Sequence, residues 1–152
     1  MKYLLMALIC SMPYFGISQE TDQQEQIWVK NWEEAKTVAQ KENKRILMYF
    51  TGSDWCMPCI MLKEDFFSTS KFKSFANSYV FLKIDIPRSQ DIITPEQRKH
   101  NLKILDTYNE EKSFPLINIM TFKGKILDHH SGYSSLRDPS YHFALLEKYA
   151  KK

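Results

Sequence analysis

The stretch Ile46-Leu47-Met48-Tyr49-Phe50-Thr51-Gly52-Ser53-Asp54-Trp55-Cys56-Met57-Pro58-Cys59 holds both the structural and the chemical information needed first. From Arg45 to Thr51 the residues are almost continuously apolar rather than alternating. That pattern belongs to a strand covered on both faces. Gly52-Ser53-Asp54 interrupts it, and a helix is expected from near Cys56 to Phe67. The two cysteines therefore stand where a strand gives way to a helix. A cysteine at a helix N-terminus faces unpaired backbone N–H groups and the positive end of the dipole. Both favour thiolate over thiol, so the Cys56 pKa should fall below the ~8.5 of a free cysteine. Cys59 lies roughly one turn further on, so the two sulfurs can meet. Pro58 fits the first turn, where its missing N–H removes no helical bond. In this arrangement Cys56 can attack a partner's disulfide, and Cys59 can resolve the mixed disulfide.

Other readings of the same cysteines stay open. Half of a zinc site is one; the remaining candidate ligands would be His100, His129, His130 and His142, none in a tight pair along the chain. An inert staple is another, although so short a closed loop stabilises little. Met57, apolar between the cysteines, reads as an exposed partner contact. Trp55 reads either as a half-exposed platform beside the sulfurs or as core packing. His129-His130 reads as a strand end with one ring in and one out.

The flanks extend the pattern. Asn31-Trp32-Glu33-Glu34 reads as a capping box, and Trp28, Trp32, Ala35 and Ala39 recur at helical spacing towards Lys41. A helical stretch is expected over Lys71–Asn77 and a buried strand over Tyr79–Ile86. Thr94-Pro95 opens a helix to about Tyr108. Leu116–Phe122 and Lys125–His130 are strands joined at Lys123-Gly124. Asp138-Pro139 opens a last helix with Phe143, Leu146 and Ala150 on one face. Strands alternating with helices and closing on a hairpin imply an α/β fold, one mixed central sheet with helices on both faces.

The composition fits. The chain has 152 residues, a prior of one domain. Aromatic residues make up 14%, which argues against disorder. Lysine and arginine total 21 against 18 acidic residues, too weak a bias for a dedicated nucleic-acid binder. At the amino terminus, Lys2 precedes the short apolar run Tyr3–Ile9, and Gly16-Ile17-Ser18 offers small residues for cleavage. Residues 1–18 therefore read as a secretory signal peptide, 19–27 as a flexible tail and 28–152 as the domain. The apolar run is far short of the ~20 residues that span a bilayer, so no stable membrane insertion is expected once the signal is removed. A lipoprotein acylated at Cys10 is the minor alternative. Cleavage after Ser18 removes Cys10 and leaves Cys56 and Cys59 with only each other. Exported proteins ordinarily use cysteines as long-range staples; this pair serves itself.

With these residues in place, nearly all of 28–152 resembles the thioredoxin superfamily, most of all its exported bacterial thioredoxin-like members. The resemblance rests on Trp55-Cys56-Met57-Pro58-Cys59 after the strand Ile46–Phe50, and on Leu82-Lys83-Ile84-Asp85 as a central strand. It also rests on Phe114-Pro115 before Leu116–Ile119 as a cis-proline strand, on the hairpin Phe122-Lys123-Gly124-Lys125, and on Gly132-Tyr133 after it. The resemblance implies a thioredoxin-like fold and a thiol–disulfide oxidoreductase in the periplasm, acting on cysteine-containing client proteins and recharged by an upstream thiol electron donor. It implies Cys56 and Cys59 as catalytic residues, and Trp55, Met57, Pro58, Phe114 and Pro115 as the substrate-binding surface. It implies a monomer with no cofactor beyond the Cys56–Cys59 disulfide. The expected direction is reduction; a non-catalytic binding module or a metal-handling protein are the alternatives. Three departures stand out. The family's buried aspartate is Tyr49 here, which leaves proton transfer at Cys59 to water, Asp54 or Glu64. The family's buried lysine is unmatched, since Lys83 falls in a different register and reads as facing outward. The segment 87–94 is longer than in minimal thioredoxins and reads as a solvated loop, with a partner surface as the alternative.

Overall fold

A computed structural model describes residues 27–150. The expected leader 1–18, with Cys10, and residues 19–26 of the expected tail lie outside the described residues. The sheet has five strands: β1 (Trp28–Val29), β2 (Arg45–Thr51), β3 (Tyr79–Asp85), β4 (Leu116–Met120) and β5 (Ile126–Ser131), in the spatial order β1-β3-β2-β4-β5. β1 and β2 flank β3 in parallel, while β4 and β5 run antiparallel to their neighbours. The helices are α1 (Trp32–Lys41), α2 (Met57–Leu62), α3 (Ser70–Ser74), α4 (Pro95–Tyr108) and α5 (Ser140–Tyr149).

The continuous apolar character of β2 has the expected cause. Ile46, Met48 and Phe50 face one core with Trp32, Ala35 and Ala39 of α1 and Ile104 and Leu105 of α4. Leu47 and Tyr49 face a second core made of Phe66, Phe67, Phe72, Phe81 and residues of α5. Central position with helices on both faces leaves no side of β2 for water.

Local chemistry sets most boundaries. Asn31 Oδ1 accepts the N–H groups of Glu33 and Glu34 at 2.9 and 3.2 Å and starts α1. Thr94 Oγ1 accepts the Gln97 N–H at 3.2 Å ahead of Pro95. Gly124, at φ +86°, makes the β4–β5 turn, in which its N–H donates to the Thr121 carbonyl at 3.0 Å.

Three expectations are corrected. Trp28 is not on the first helix but in β1, paired with Phe81, with its ring against Phe67 and Phe72; the non-local aromatic contacts outweigh the helical spacing. Ile27, assigned to the tail, packs against the second core. The helix after the cysteines is α2 continued by a π-helical turn, Lys63–Phe67. The wider turn lets the consecutive rings of Phe66 and Phe67 both point inward, their centroids 4.9 Å apart. Helical structure after it begins at Ser70, capped by Thr69 Oγ1, and passes into a 3₁₀ turn over Phe75–Asn77.

Candidate active site

β2 ends at Thr51, and the Cys56 N–H donates back to the Gly52 carbonyl at 2.9 Å. A side chain at Gly52 would collide with the Trp55 ring, so only glycine permits this tight exit. The Trp55 indole N–H donates to the Ile86 carbonyl at 2.8 Å. The ring stands edge-on to Phe114, centroids 5.2 Å apart, and the Arg88 guanidinium lies over it at 4.9 Å. Trp55 is half-buried, so it is both packed and partly exposed.

Segment 87–94 is exposed over Arg88–Ile92, as a solvated loop should be, but it is tied to the site. Asp54 accepts the N–H groups of Ser89 and Arg88 at 2.8 and 3.0 Å, and Arg98 donates to the carbonyls of Pro87 and Ser89, both at 2.8 Å. The Ser89 N–H is the first reason that the Asp54 carboxyl lies below its ordinary pKa.

Cys56 is the N-cap of α2, and its Sγ accepts the Cys59 N–H at 3.3 Å. Cys56 and Cys59 form a disulfide with their Cα atoms 5.2 Å apart. Both residues are buried, at 4% and 2% exposure, whereas Met57 between them is 61% exposed. Pro58 occupies the first helical turn. The Phe114–Pro115 peptide is cis, and the Pro115 carbonyl accepts the Gly132 N–H at 2.8 Å. Phe114 thus meets the motif through Trp55, while the Pro115 carbonyl is tied to the turn after β5.

A cavity of about 260 Å³ opens beside Cys59, walled by Trp28, Tyr49, Phe67 and Lys83 among others. Tyr49 takes the position of the family's buried acid. Its hydroxyl donates to Thr51 Oγ1 at 3.1 Å and approaches the Cys59 carbonyl at 3.5 Å. Burial pushes the phenol well above its ordinary pKa, and the Asp85 carboxylate adds to the effect.

The carboxylates expected to serve Cys59 are engaged elsewhere. Asp54 holds the 88–89 loop. Glu64 accepts from Arg137 at 2.8 Å, and Asp65 accepts from Arg137 at 2.6 and 2.7 Å and from the Tyr133 hydroxyl at 2.8 Å. Lys83 does not simply face outward: it is half-buried and lines the Cys59 cavity. Sequence reasoning also passed over Asp85, buried behind the motif with its Oδ1 accepting the Ser53 N–H at 3.0 Å. The period-two pattern of β3 placed Lys83 and Asp85 on one face, but not which face.

The histidines separate. His100 Nε2 accepts the Trp32 N–H at 3.1 Å. His129 is exposed and His130 half-buried, as the strand-end reading has it. His130 and His142, with no pairing visible along the chain, meet with ring centroids 4.5 Å apart. Among the described residues, no group of three or more His, Cys, Asp or Glu side chains is placed to hold a metal ion.

Residues 27–121 match the family model described as thioredoxin-like. Over 99 residues the chain is 31% identical to the disulfide bond reductase DsbH of Chlamydia pneumoniae; the match spans 64% of this chain and 58% of that protein. A solved DsbH oxidoreductase superposes with a TM-score of 0.65 at 28% identity, over 79% of this chain and 83% of that one. The disulphide isomerase of Xylella fastidiosa Temecula1 (TM-score 0.57, 17% identity, 91% and 96% covered) and thioredoxin O2 of Arabidopsis thaliana (0.55, 16%, 82% and 93%) share the fold. A family match over more than half the chain shows that this chain belongs to the thioredoxin-like family.

Proposed function

We propose that this chain is an exported thiol–disulfide oxidoreductase that reduces disulfides in client proteins through Cys56 and Cys59. The observation that carries the reading is the Cys56–Cys59 disulfide at the start of α2, with Cys56 as N-cap. In the reduced protein the same backbone donors favour the Cys56 thiolate. That thiolate attacks a client disulfide; Cys59 then attacks Cys56 Sγ, closes the intramolecular disulfide and releases the client as a dithiol. Two electrons pass to the client, and an upstream thiol donor restores the pair. Met57, Pro58, Trp55, Phe114 and Pro115 form the surface that meets the client chain. Similarity to a disulfide bond reductase supports the reducing direction.

Lys2 and the apolar run Tyr3–Ile9 support export, with cleavage near Ser18 and a periplasmic mature protein as the reading. Mass spectrometry of the native protein should find Gln19 at the mature amino terminus; an intact Met1 or a lipidated Cys10 would overturn this part. The activity itself is tested by insulin reduction with dithiothreitol. The chain should accelerate precipitation of the insulin B chain, and the Cys56→Ser/Cys59→Ser variant should not. A wild-type rate equal to dithiothreitol alone sinks the reading.

A further inference from the structure

The surface beside the cysteines has a charged rim. The Arg88 guanidinium lies over the ring of Trp55, the residue immediately before Cys56, at 4.9 Å. Phe114 meets the same ring edge-on at 5.2 Å. Trp55 therefore touches both the cis-proline segment and an arginine that the exchange between the sulfurs does not use.

The backbone of Arg88 is held, although its side chain is exposed. Its N–H and that of Ser89 donate to the Asp54 carboxylate at 3.0 and 2.8 Å. Arg98 of α4 donates to the carbonyls on either side of it, those of Pro87 and Ser89, both at 2.8 Å. One residue earlier, the Ile86 carbonyl accepts the Trp55 indole N–H at 2.8 Å. An anchored backbone leaves the Arg88 head less freedom to lose when a ligand arrives.

The guanidinium N–H groups have no acceptor among the described residues, and no carboxylate there forms an ion pair with them. Asp54 feels the Arg88 charge, but its oxygens accept from the backbone N–H groups of residues 88 and 89. Arg98, the other cation of this corner, turns its donors on the loop carbonyls. Arg88 thus presents a planar fork of donors, the shape that a carboxylate fits, beside an aromatic face.

We propose that Arg88 is a specificity-determining residue, selecting client chains that carry an aspartate or glutamate close to the cysteine under attack. The proposal rests on the oxidoreductase reading, which supplies the client. An extended chain advances about 3.3 Å per residue. With a client sulfur bonded to Cys56 Sγ, side chains within a few positions of that cysteine reach the Trp55 rim. The client carboxylate takes the Arg88 fork, and its apolar stem rests on the ring.

The test uses disulfide-linked homodimers of a single-cysteine peptide, in which the two sulfurs are equivalent. Aspartate or asparagine is placed in turn at the nearest positions on either side of the cysteine. The reduced protein converts each peptide disulfide into two thiols and is itself oxidised to the Cys56–Cys59 disulfide. Rates are divided by those with dithiothreitol, which removes the effect of the aspartate on the peptide's own reactivity. At one position or more, the aspartate peptide should react about threefold to fivefold faster than the asparagine peptide at low salt, the range of an exposed charge pair. The ratio should fall towards one at about 1 M salt, where the Debye length is about 3 Å. Arg88→Gln should bring the ratio to one, and Arg88→Lys, which keeps the charge without the fork, should retain part of it. Both peptides meet the same variant, so any loss of folded protein cancels from the ratio. A wild-type ratio of one at every position, or a ratio that survives Arg88→Gln, overturns the proposal. Insulin reduction by the wild type separates this from the function. If insulin is reduced and the ratio is one, only the role of Arg88 falls. If neither insulin nor any peptide is reduced, the oxidoreductase reading falls and the proposal falls with it.

Discussion

Trp55 donates its indole N–H to the carbonyl of Ile86 at 2.8 Å, across the gap between the end of β2 and the end of β3. The bond fixes the residue before Cys56 to the neighbouring strand, and Phe114 closes against the ring from the cis-proline segment. Three chain segments far apart in sequence thereby hold one side of the motif. Trp55→Phe keeps an aromatic surface for Phe114 but leaves the Ile86 carbonyl without this donor. It should cost about 1 kcal/mol of stability. A urea midpoint equal to wild type would show that the bond contributes nothing net.

Cys59→Ser should accumulate mixed disulfides between Cys56 and client proteins, because the resolving thiol is gone. Cys56→Ser should not, since it is Cys56 that holds the N-cap position, where its Sγ accepts a backbone N–H that favours thiolate. Non-reducing gels of cell-envelope extracts distinguish the two. Equal adducts from both variants would reverse or dissolve the assigned roles.

The pair should be less reducing than thioredoxin, whose potential is about −270 mV. Tyr49 stands in place of a buried acid, and no carboxylate is in the wall of the cavity around Cys59. A negative charge disfavours thiolate; its absence stabilises the reduced form and moves the potential towards the oxidising side. Equilibration with glutathione buffers measures it. A value at or below thioredoxin's would show that some other group supplies the missing charge.

Stability should fall between about pH 6.5 and pH 4 because of His142. Burial pushes its pKa down to about 4, with His130 adding to the effect, and its Nδ1 has no hydrogen-bond partner. The unfolded chain takes up the proton near pH 6.5 and the native chain only near pH 4. The His142 contribution is thus complete above pH 6.5 and is lost as pH falls through that window, by up to about 1.4 kcal/mol per pH unit. His142→Phe should flatten the dependence there. Urea midpoints at several pH values check it, and parallel slopes in the two proteins would exclude His142 as the cause.

The parts that were legible in the sequence are local in origin. The unbroken apolar run of β2 reports burial on both faces, Asn31 and Thr94 report helix starts, and two cysteines one turn apart report their own disulfide. None of these needs knowledge of what lies across the sheet. Trp28 was misplaced because its position depends on Phe81, Phe67 and Phe72, and the π-helical turn went unforeseen because inward packing of both Phe66 and Phe67 produces it. The charge environment of Cys59 was equally hidden. Lys83 and Asp85 follow Cys59 by more than twenty residues, and their side chains share a face with Tyr49 and Thr51 only through the parallel register of β2 and β3. Along the chain, spacing and periodicity report what each residue buries. Which ionisable groups share a cavity with a sulfur is set by non-local strand pairing and packing, and that came from the folded chain alone.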